Sequence, residues 1–259
     1  MQVDVEVIQQ IEQLFKVRTP DGELVPLKAN AVQRLYEERR GQRNIVKKSR
    51  QQGFTTWCVA RALLRCLAKP NTSAISIAPN ANSASHIFWQ AAKMLGLMSS
   101  SSVLNRITMS GNSTFQVLNA SSGRWTRGVE GKTIDYIHGA EIAMWPDRAR
   151  DDLDELRYLF DPDGEEVMES SPLPDGAGVF EEEWASAESR GVARHFFPWW
   201  LNPENISKPP ERQSLTDEEC GLIVREGLTF EQIGWRRRAY GDRRYGNLEW
   251  AKVQYLEKP

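Results

Sequence analysis

The segment of this chain best suited to chemistry is the polar stretch KKSRQQGFTT at positions 47–56. It follows the apolar pair at 45–46, which predicts a short strand, and precedes the apolar run at 57–67, which predicts a helix. A helix start leaves backbone N–H groups unpaired and carries the positive end of the helix dipole, so a loop at that place attracts phosphate groups. The order strand, loop and helix therefore predicts a phosphate-binding loop.

The loop agrees only in part with the common phosphate-loop pattern G-x-x-x-x-G-K-[ST]. Gly53 and Thr55 occupy the positions of the second glycine and of the hydroxyl. Lys48 replaces the first glycine, and Phe54 replaces the lysine. A degenerate match of this kind also fits an ordinary strand, turn and helix, with Lys47 and Lys48 as a solvated strand end. The interpretation as a phosphate loop therefore depends on other segments.

Two further segments end predicted strands in polar residues. The apolar stretch at 133–138 predicts a buried strand followed by Glu141, and the stretch at 167–170 predicts a strand that ends in the hydroxyls of Ser170 and Ser171. In an open parallel sheet, ligands bind at the carboxyl ends of the strands. Together with the loop, these segments predict one ligand site at one edge of a sheet.

The elements that position these strand ends alternate along the chain. Helices are predicted at 3–15, 31–40, 57–67 and 84–97, and strands at 45–46, 74–78, 133–138, 167–170 and 193–197, with a hairpin at 106–109 and 115–118 beside the main sheet. That alternation indicates an α/β fold, a mostly parallel central sheet flanked by helices on both faces. A segment rich in proline and asparagine at 202–210 predicts a linker, and 215–255 predicts a helical subdomain with caps at Thr216 and Thr229.

Composition bounds the class of protein. At 259 residues, with 40% hydrophobic and 26% charged residues, the chain can bury one sizeable core and a small appendage. No apolar stretch approaches the ~20 residues that span a bilayer, and the polar start MQVDVEVIQQ is no signal peptide, so we expect a soluble protein. Cys58, Cys66 and Cys220 lack metal-ligand spacing, which favours reduced thiols in a cytoplasmic protein. The net charge of −2 argues against a protein that coats DNA with its whole surface.

Three segments in this order, KKSRQQGFTT, RGVEGKTIDYIHGAEIAMW and ESSPLPDGAGVFEEEW, resemble the ATPase domain of the large terminase subunit of tailed bacteriophages, the motor that pumps DNA into the prohead. LKANAVQRLY at 27–36 resembles the adenine-recognising glutamine motif of these motors, and LTFEQIGWRRRAYG at 228–241 resembles their lid region. The resemblance implies a P-loop ATPase core of the ASCE type at 1–201 and a linker with a small helical lid subdomain at 202–259. It also implies ATP and Mg²⁺ as ligands.

The same resemblance implies partners and a location. The expected partners are double-stranded DNA, the portal protein and the small terminase subunit, with subunits assembled as a homo-oligomeric ring and the isolated domain free to be monomeric. The expected location is the cytoplasm of the host cell, away from membranes. Terminases also carry a C-terminal nuclease domain with a cluster of metal-binding aspartates. No such cluster follows in this sequence, so we expect that domain to be absent from this chain, which should not cut DNA unaided.

The resemblance assigns the nucleotide-binding residues one by one. The expected ATP-binding residues are Gln33, Lys48, Ser49, Arg50, Gln51, Gln52, Gly53, Phe54, Thr55 and Thr56. Lys48 is the expected cation on the β- and γ-phosphates, and Arg50 competes for that role. Thr55 is the expected Mg²⁺ ligand, with Thr56 as the alternative. Gln33 is expected to contact adenine, because a side-chain amide offers both a donor and an acceptor.

The resemblance also assigns catalytic and coupling residues. Glu141 is the expected catalytic carboxylate, which polarises the attacking water. Arg127 matches an arginine that reaches the γ-phosphate held by the neighbouring subunit, and Arg124 is close enough in sequence to be confused with it. Ser170 and Ser171 match the coupling motif that senses the γ-phosphate and passes its loss to the lid.

The chain departs from the family directly before Glu141, where Ala140 replaces the aspartate that holds Mg²⁺. Because Mg²⁺ keeps several waters and needs few protein ligands, activity is compatible with this departure. Asp135 is the candidate outer-sphere substitute, although strand alternation can point it elsewhere. Phe54 and Ala140 also support an alternative function, a docking module that binds nucleotide without hydrolysing it. A helicase-like DNA translocase is the other alternative.

Overall fold

The computed structural model describes residues 5–19, 21–97, 105–123, 126, 129, 133–173, 176 and 178–241. The strands are β1 (Lys16–Arg18), β2 (Leu24–Pro26), β3 (Arg43–Lys48), β4 (Ser73–Ala78), β5 (Arg106–Thr108), β6 (Thr114–Asn119), β7 (Ile134–Ala140), β8 (Phe160–Ser170) and β9 (Ala193–Phe197). The helices are α1 (Val5–Leu14), α2 (Ala31–Arg39), α3 (Phe54–Ala68), α4 (Ala81–Met94), α5 (Ala149–Arg157), α6 (Val179–Ser186), α7 (Asp217–Glu226) and α8 (Phe230–Gly241).

Seven strands form one sheet in the order β5-β6-β4-β7-β8-β3-β9, and β1 pairs with β2 in a separate antiparallel hairpin. Neighbours in the main sheet run parallel, except that β5 is antiparallel to β6. The predicted pairing of 106–109 with 115–118 is confirmed, but β6 also pairs with β4, so the hairpin extends the main sheet instead of lying beside it. The prediction of an α/β fold with a mostly parallel sheet is confirmed.

The carboxyl ends of three strands meet at one edge of this sheet. β8 lies between β3 and β7, with Lys47 paired with Ser170 on one side and Ala140 paired with Glu169 on the other. The loop that follows β3 and the residue that follows β7 therefore lie on either side of the end of β8.

Strand alternation decides which side chains of β3 can reach the phosphate loop. Val46 packs into an apolar core beneath α1 to α4, whereas Ile45 packs into a second core on the other face, with Phe180 of α6. Lys47 and Lys48 continue the alternation, so Lys48 lies on the α3 side and Lys47 on the α6 side. Only Lys48 is thus placed at the loop.

α3 begins earlier than the predicted start at 57. Gly53 has φ +66°, a left-handed conformation that glycine adopts without strain, and it ends the loop. Phe54 then enters the first helical turn, because its buried ring packs against Tyr36 and Phe197, with centroid distances of 5.0 and 5.8 Å. This start places the hydroxyl of Thr55 in the first turn of the helix.

α7 and α8 form a helical unit with an apolar core of its own. Its buried residues are Trp199, Leu222, Leu228, Ile233, Trp235 and Ala239. The predicted caps are confirmed: Thr216 accepts a hydrogen bond from the backbone of Glu219, and Thr229 accepts one from the backbone of Gln232. The predicted subdomain beyond position 241 lies outside the described residues. Within the described part of the chain, no helix is long and apolar enough to cross a bilayer.

Candidate nucleotide-binding site

The loop at 49–53 connects β3 to α3 and leaves the start of the helix accessible. Gln51 and Gly53 both have positive φ angles, 60° and 66°, which turn the chain sharply into the helix. Gly53 is the N-cap residue of α3, and no side chain caps the helix there. The first N–H groups of α3 are therefore available to an anion, at the positive end of the helix dipole.

Lys48 is buried at the end of β3 and lies between two carboxylates. Its Nζ atom lies 2.7 Å from Oε1 of Glu141 and 3.1 Å from Oε2 of Glu169. Burial alone would lower the pKa of Lys48, but Glu169 and Glu141 outweigh that effect and raise the pKa above its ordinary value. The side chain is therefore a permanently charged ammonium group at the loop.

Lys47 serves a different part of the molecule. Its Nζ atom lies 3.4 Å from Oε2 of Glu181 and 4.7 Å from the centroid of the Trp184 ring, both on α6. The alternative of a solvated strand end is wrong for both lysines, since Lys47 and Lys48 are only 8% and 4% exposed. Lys47 holds α6 to the sheet and does not contact the loop.

Glu141 follows β7 in a left-handed conformation, with φ 50° and ψ 49°. Its Oε2 atom accepts a hydrogen bond from the backbone N–H of Ser171 at 3.3 Å and lies 3.5 Å from the hydroxyl of Ser170, which donates its proton to the carbonyl of Ser171 at 2.9 Å. The Ser170 hydroxyl in turn accepts a hydrogen bond from the backbone N–H of Ala143 at 3.2 Å. The two predicted coupling residues therefore contact the predicted catalytic carboxylate directly, and that side chain remains 34% exposed.

Glu169 belongs to this site, although sequence reasoning missed it. The residue is fully buried, and its Oε1 atom accepts a 2.6 Å hydrogen bond from the hydroxyl of Thr55 and lies 3.5 Å from Nε2 of His138. Burial raises its pKa, but Lys48, His138 and Thr55 outweigh burial and lower it to about 2. The available signal is a carboxylate within the strand predicted at 167–170, directly before Ser170 and Ser171.

Neither Ala140 nor Asp135, the two positions on β7 considered for Mg²⁺, can contact a metal ion at the loop. Ala140 pairs in register with Glu169 and carries only a methyl group toward the core beneath α3. Asp135 lies at the other end of β7, about 20 Å from Glu141 at the usual rise per strand residue, where it accepts a hydrogen bond from Ser73 and pairs with Lys69. The prediction of Asp135 as an outer-sphere ligand is therefore wrong. In the described residues, no group of three or more histidine, cysteine, aspartate or glutamate side chains could hold a metal by itself.

Gln33 is oriented against the loop by its own helix cap. Its Nε2 atom donates to the carbonyl of Gly53 (2.9 Å), and its Oε1 atom accepts from the backbone N–H of Asn30 (2.9 Å). An amide has two donors and two acceptor lone pairs, so one of each remains. A cavity of about 580 Å³ opens beside Gln33, Gly53 and Thr56; its apolar wall is formed by Val17, Leu24, Leu27, Trp89, Met94 and Leu97.

The remaining loop residues divide into exposed and committed side chains. Arg50 and Gln51 are exposed at the turn of the loop. Gln52 is buried and donates to the carbonyl of Pro198 at 2.8 Å, and the backbone N–H of Ser49 donates to the carbonyl of Phe197 at 2.9 Å. The loop is thereby fixed to the chain segment that leaves β9.

Two further predicted residues can be placed relative to the site. The side chain of Phe54 lies in the core and can contribute to phosphate binding only through its backbone. Thr56 accepts a hydrogen bond from Gln90 at 2.7 Å, whereas Thr55 contacts Glu169, so Thr55 is the threonine that faces the carboxylates. Arg127 and Arg124 lie outside the described residues.

Comparison with known proteins supports the fold. No family model matches the sequence, and no curated protein matches it. The crystal structure of the large terminase of bacteriophage HK97 is similar, with a TM-score of 0.68 and 16% identity over 98% of this chain and 55% of that one. The chain thus spans about half the length of that terminase.

Two further solved structures agree. The ATPase domain of the large terminase of Thermus phage P74-26 has a TM-score of 0.56 and 16% identity, over 88% of this chain and 92% of that domain. A large terminase from a thermophilic bacteriophage, solved with ATP-γ-S, has a TM-score of 0.50 and 11% identity, over 74% of this chain and 46% of that one. At these identities the likeness concerns the fold, and the resemblance inferred from the motifs is confirmed at that level. The chain has the fold of the ATPase domain of bacteriophage large terminases.

Proposed function

We propose that this chain is the ATP-hydrolysing motor domain of a viral DNA-packaging terminase, which couples hydrolysis to the translocation of double-stranded DNA into the prohead. One observation supports this most: Lys48, Thr55 and Glu141 come from three separate elements and meet beside an uncapped helix start. A buried cation, a hydroxyl and a partly exposed carboxylate are the groups that phosphoryl transfer requires.

Each residue has a defined role in this proposal. The N–H groups of the first turn of α3 and the ammonium of Lys48 bind the phosphates. Glu141 orients the attacking water toward the γ-phosphate. Bound Mg²⁺ would supply positive charge to the phosphates. Thr55 would hold it, and an oxygen-rich site in which an ammonium already lies between two carboxylates fits a hard cation.

The cavity beside Gln33 fits the adenosine part of ATP. Apolar walls suit the faces of a purine, and the Gln33 amide, which lines the cavity although it is only 2% exposed, has the chemistry to pair with its polar edge. Gln33 also holds the carbonyl of Gly53, so contact with adenine would be linked directly to the position of the loop.

The contacts around the loop also offer a route from hydrolysis to the lid. Ser170 and Ser171 bind Glu141, and Gln52 binds the carbonyl of Pro198. The next residue, Trp199, stacks on Trp235 of α8 with centroids 4.8 Å apart. Movement of the loop on loss of the γ-phosphate would therefore reach the helical subdomain through one short segment.

Measuring phosphate release with Mg²⁺ and ATP, with and without double-stranded DNA, tests the function. Glu141→Gln should bind nucleotide with near-normal affinity and lose at least about 10²-fold in turnover, because it retains shape but cannot orient water as a base. Equal turnover in variant and parent would remove Glu141 from the catalytic role. Nucleotide binding without hydrolysis in the parent would favour the docking module, for which Phe54 and Ala140 argue. Unwinding of duplex DNA would favour a helicase-like translocase.

The proposal also covers assembly. The subunits would form a ring in the host cytoplasm, with the portal protein and the small terminase subunit as partners. Arg127 would act between neighbouring subunits of that ring. If Arg127 acts on the nucleotide of a neighbouring subunit, turnover per subunit should rise with protein concentration, since an arginine finger contributes about 10³-fold or more. Arg127→Ala should abolish that rise and leave nucleotide affinity unchanged. Mixing Arg127→Ala with Glu141→Gln subunits should restore partial activity. No recovery under conditions where rings form would place Arg127 within its own subunit.

A further inference from the structure

Glu169 is the charged residue of the site that the proposed function leaves without a role. It is fully buried at the end of β8, yet it contacts both residues that the proposal assigns to phosphate and to Mg²⁺. Lys48 lies 3.1 Å from its Oε2 atom, and the Thr55 hydroxyl donates to its Oε1 atom at 2.6 Å. A carboxylate with no exposed surface needs partners of this quality to remain ionised.

The register of the sheet explains why Glu169 lies there. Ala140 on β7 pairs directly with Glu169 on β8, and paired residues on neighbouring parallel strands point to the same face of the sheet. For this pair it is the face covered by α3, as the contact of Glu169 with Thr55 and the packing of Ala140 beneath α3 both show. The carboxylate of Glu169 thus lies beside the position at which an aspartate on β7 would begin.

We propose that Glu169 supplies the carboxylate that holds Mg²⁺ beside Thr55, in place of the aspartate that Ala140 replaces. The inference rests on the proposed function, because it concerns Mg²⁺ bound together with ATP. Oxygen ligands are those that Mg²⁺ prefers, and it commonly uses one or two carboxylates with substrate phosphates. The Thr55 hydroxyl uses its proton toward Glu169, which leaves its oxygen lone pairs for the metal.

The balance of charge supports the same assignment. Among the described residues, Glu141 and Glu169 share the single ammonium of Lys48, and the imidazole of His138 lies 3.5 Å from Glu169. If Lys48 turns to the phosphates of ATP, as proposed, the fully buried Glu169 loses its strongest partner. A divalent cation that arrives with the nucleotide would replace the lost positive charge. The exchange would also explain why two carboxylates gather around one lysine.

The test measures the affinity of a fluorescent ADP or ATP analogue for the full chain in MgCl₂ and in EDTA. In the parent, Mg²⁺ should strengthen binding. In Glu169→Gln, the affinity in EDTA should be retained or increased, because Lys48 loses one of its two carboxylate partners, whereas the strengthening by Mg²⁺ should fall by at least about tenfold. Titration with Mn²⁺ in the presence of nucleotide, followed by electron paramagnetic resonance, should show the same loss without any measurement of hydrolysis.

Glu165→Gln is the matched control. Glu165 lies on the same face of the same strand, is also buried (3% exposed) and is paired with Arg61 at the far side of α3 from the loop. Its variant should suffer a comparable loss of stability and keep the whole effect of Mg²⁺. A merely structural Glu169 would make the two variants alike. Full retention of the Mg²⁺ effect in folded Glu169→Gln would overturn the inference, whereas a parent without nucleotide binding would contradict the proposed function instead.

A rescue variant restores a carboxylate partner to Lys48 and Thr55 and so tests the inference even if Glu169→Gln alone folds poorly. The double variant Ala140→Asp with Glu169→Gln moves the carboxylate across one strand pair to the usual position. It should recover most of the Mg²⁺ effect on nucleotide affinity. Failure of this folded double variant to recover it would overturn the inference that a carboxylate on this face of β7 and β8 holds the metal.

Discussion

Two buried cations in this molecule each lie between two carboxylates, and the comparison separates a cluster that holds the fold from one suited to chemistry. Arg61 of α3 pairs with Glu37 and Glu165, and Lys48 of β3 pairs with Glu141 and Glu169. The clusters are neighbours, since both involve α3 and β8.

The Arg61 cluster is closed. Arg40 also pairs with Glu37 and Glu165, and Arg65 lies 3.9 Å from Glu165, so the guanidinium groups outnumber the two carboxylates. Trp57 and Tyr36 donate further hydrogen bonds to the same acids. The planar fork of a guanidinium keeps its charge and geometry fixed, which suits a permanent connection between α2, α3 and the sheet.

The Lys48 cluster is open. One flexible ammonium serves two carboxylates, and Glu141 reaches solvent with a third of its side chain. An ammonium on a four-carbon stem can change partners without moving the backbone. Buried ion pairs alone therefore do not indicate a ligand-binding site. An excess of carboxylates over cations, together with access to solvent, does indicate one.

Breaking the closed cluster should affect stability most. Arg61→Met removes the cation from two buried acids, and we expect the free energy of unfolding to fall by about 3–5 kcal/mol. Urea denaturation followed by tryptophan fluorescence measures this change. Lys48→Met is the matched variant and should cost less than Arg61→Met, because Glu141 can turn to water and Glu169 keeps the hydroxyl of Thr55 and the imidazole of His138 as partners. A larger loss of stability in Lys48→Met than in Arg61→Met would contradict the conclusion that the Arg61 cluster is the one that holds the fold.

Breaking the open cluster should instead affect turnover. Lys48→Ala should reduce ATP turnover by about 10²- to 10³-fold, the range found when one preorganised donor to a transition state is removed. Lys47→Ala, one residue away on the opposite face, should weaken the packing of α6 and leave the turnover of folded protein near that of the parent. Phosphate release per folded molecule is the measurement. Loss of turnover in Arg50→Ala but not in Lys48→Ala would reassign the cation to Arg50.

Acid should reveal how much the ionised form of Glu169 contributes to the free energy of unfolding. Its pKa lies at about 2 in the folded chain, below its ordinary value of 4.5, so its contribution is fully present above pH 4.5 and lost as pH falls toward 2. That contribution is at most about 3 kcal/mol, at 1.36 kcal/mol per pKa unit. Unfolding free energies measured from pH 5 to 2.5 should fall less steeply in Glu169→Gln than in the parent. Parallel pH profiles would show that Glu169 titrates alike in the folded and unfolded chains.

Part of this site could be predicted from the sequence because the features that define the loop are local. An apolar strand, a glycine-containing polar loop and an apolar helix follow each other without interruption, so the loop and the strand ends could be located. Alternation along β3 implies that Lys47 and Lys48 face opposite sides, but which one faces α3 depends on how the sheet is covered. Phe54 was assigned to the loop because its partners, Tyr36 and Phe197, are distant in sequence.

Register between strands is the information that the sequence lacks. Glu169 belongs to the site because β8 lies between β3 and β7 and pairs Glu169 with Ala140. Neither the strand order nor the pairing is set by local residue types. The prediction of Asp135 fails for a related reason. Asp135 lies on the strand that leads to Glu141 and is close to it in sequence, but an extended strand places residues six positions apart about 20 Å from each other.

The backbone of Glu141 has a consequence for how this domain can change. A left-handed conformation costs a residue with a side chain about 1–2 kcal/mol relative to the ordinary helical one, and glycine avoids that cost. The residue that we propose to orient the attacking water is therefore one whose backbone conformation the fold alone would not favour. Glycine here would relieve the backbone cost, but it would also remove the carboxylate that pairs with the buried ammonium of Lys48. The fold therefore tolerates this unfavourable dihedral angle only together with the side chain that it places.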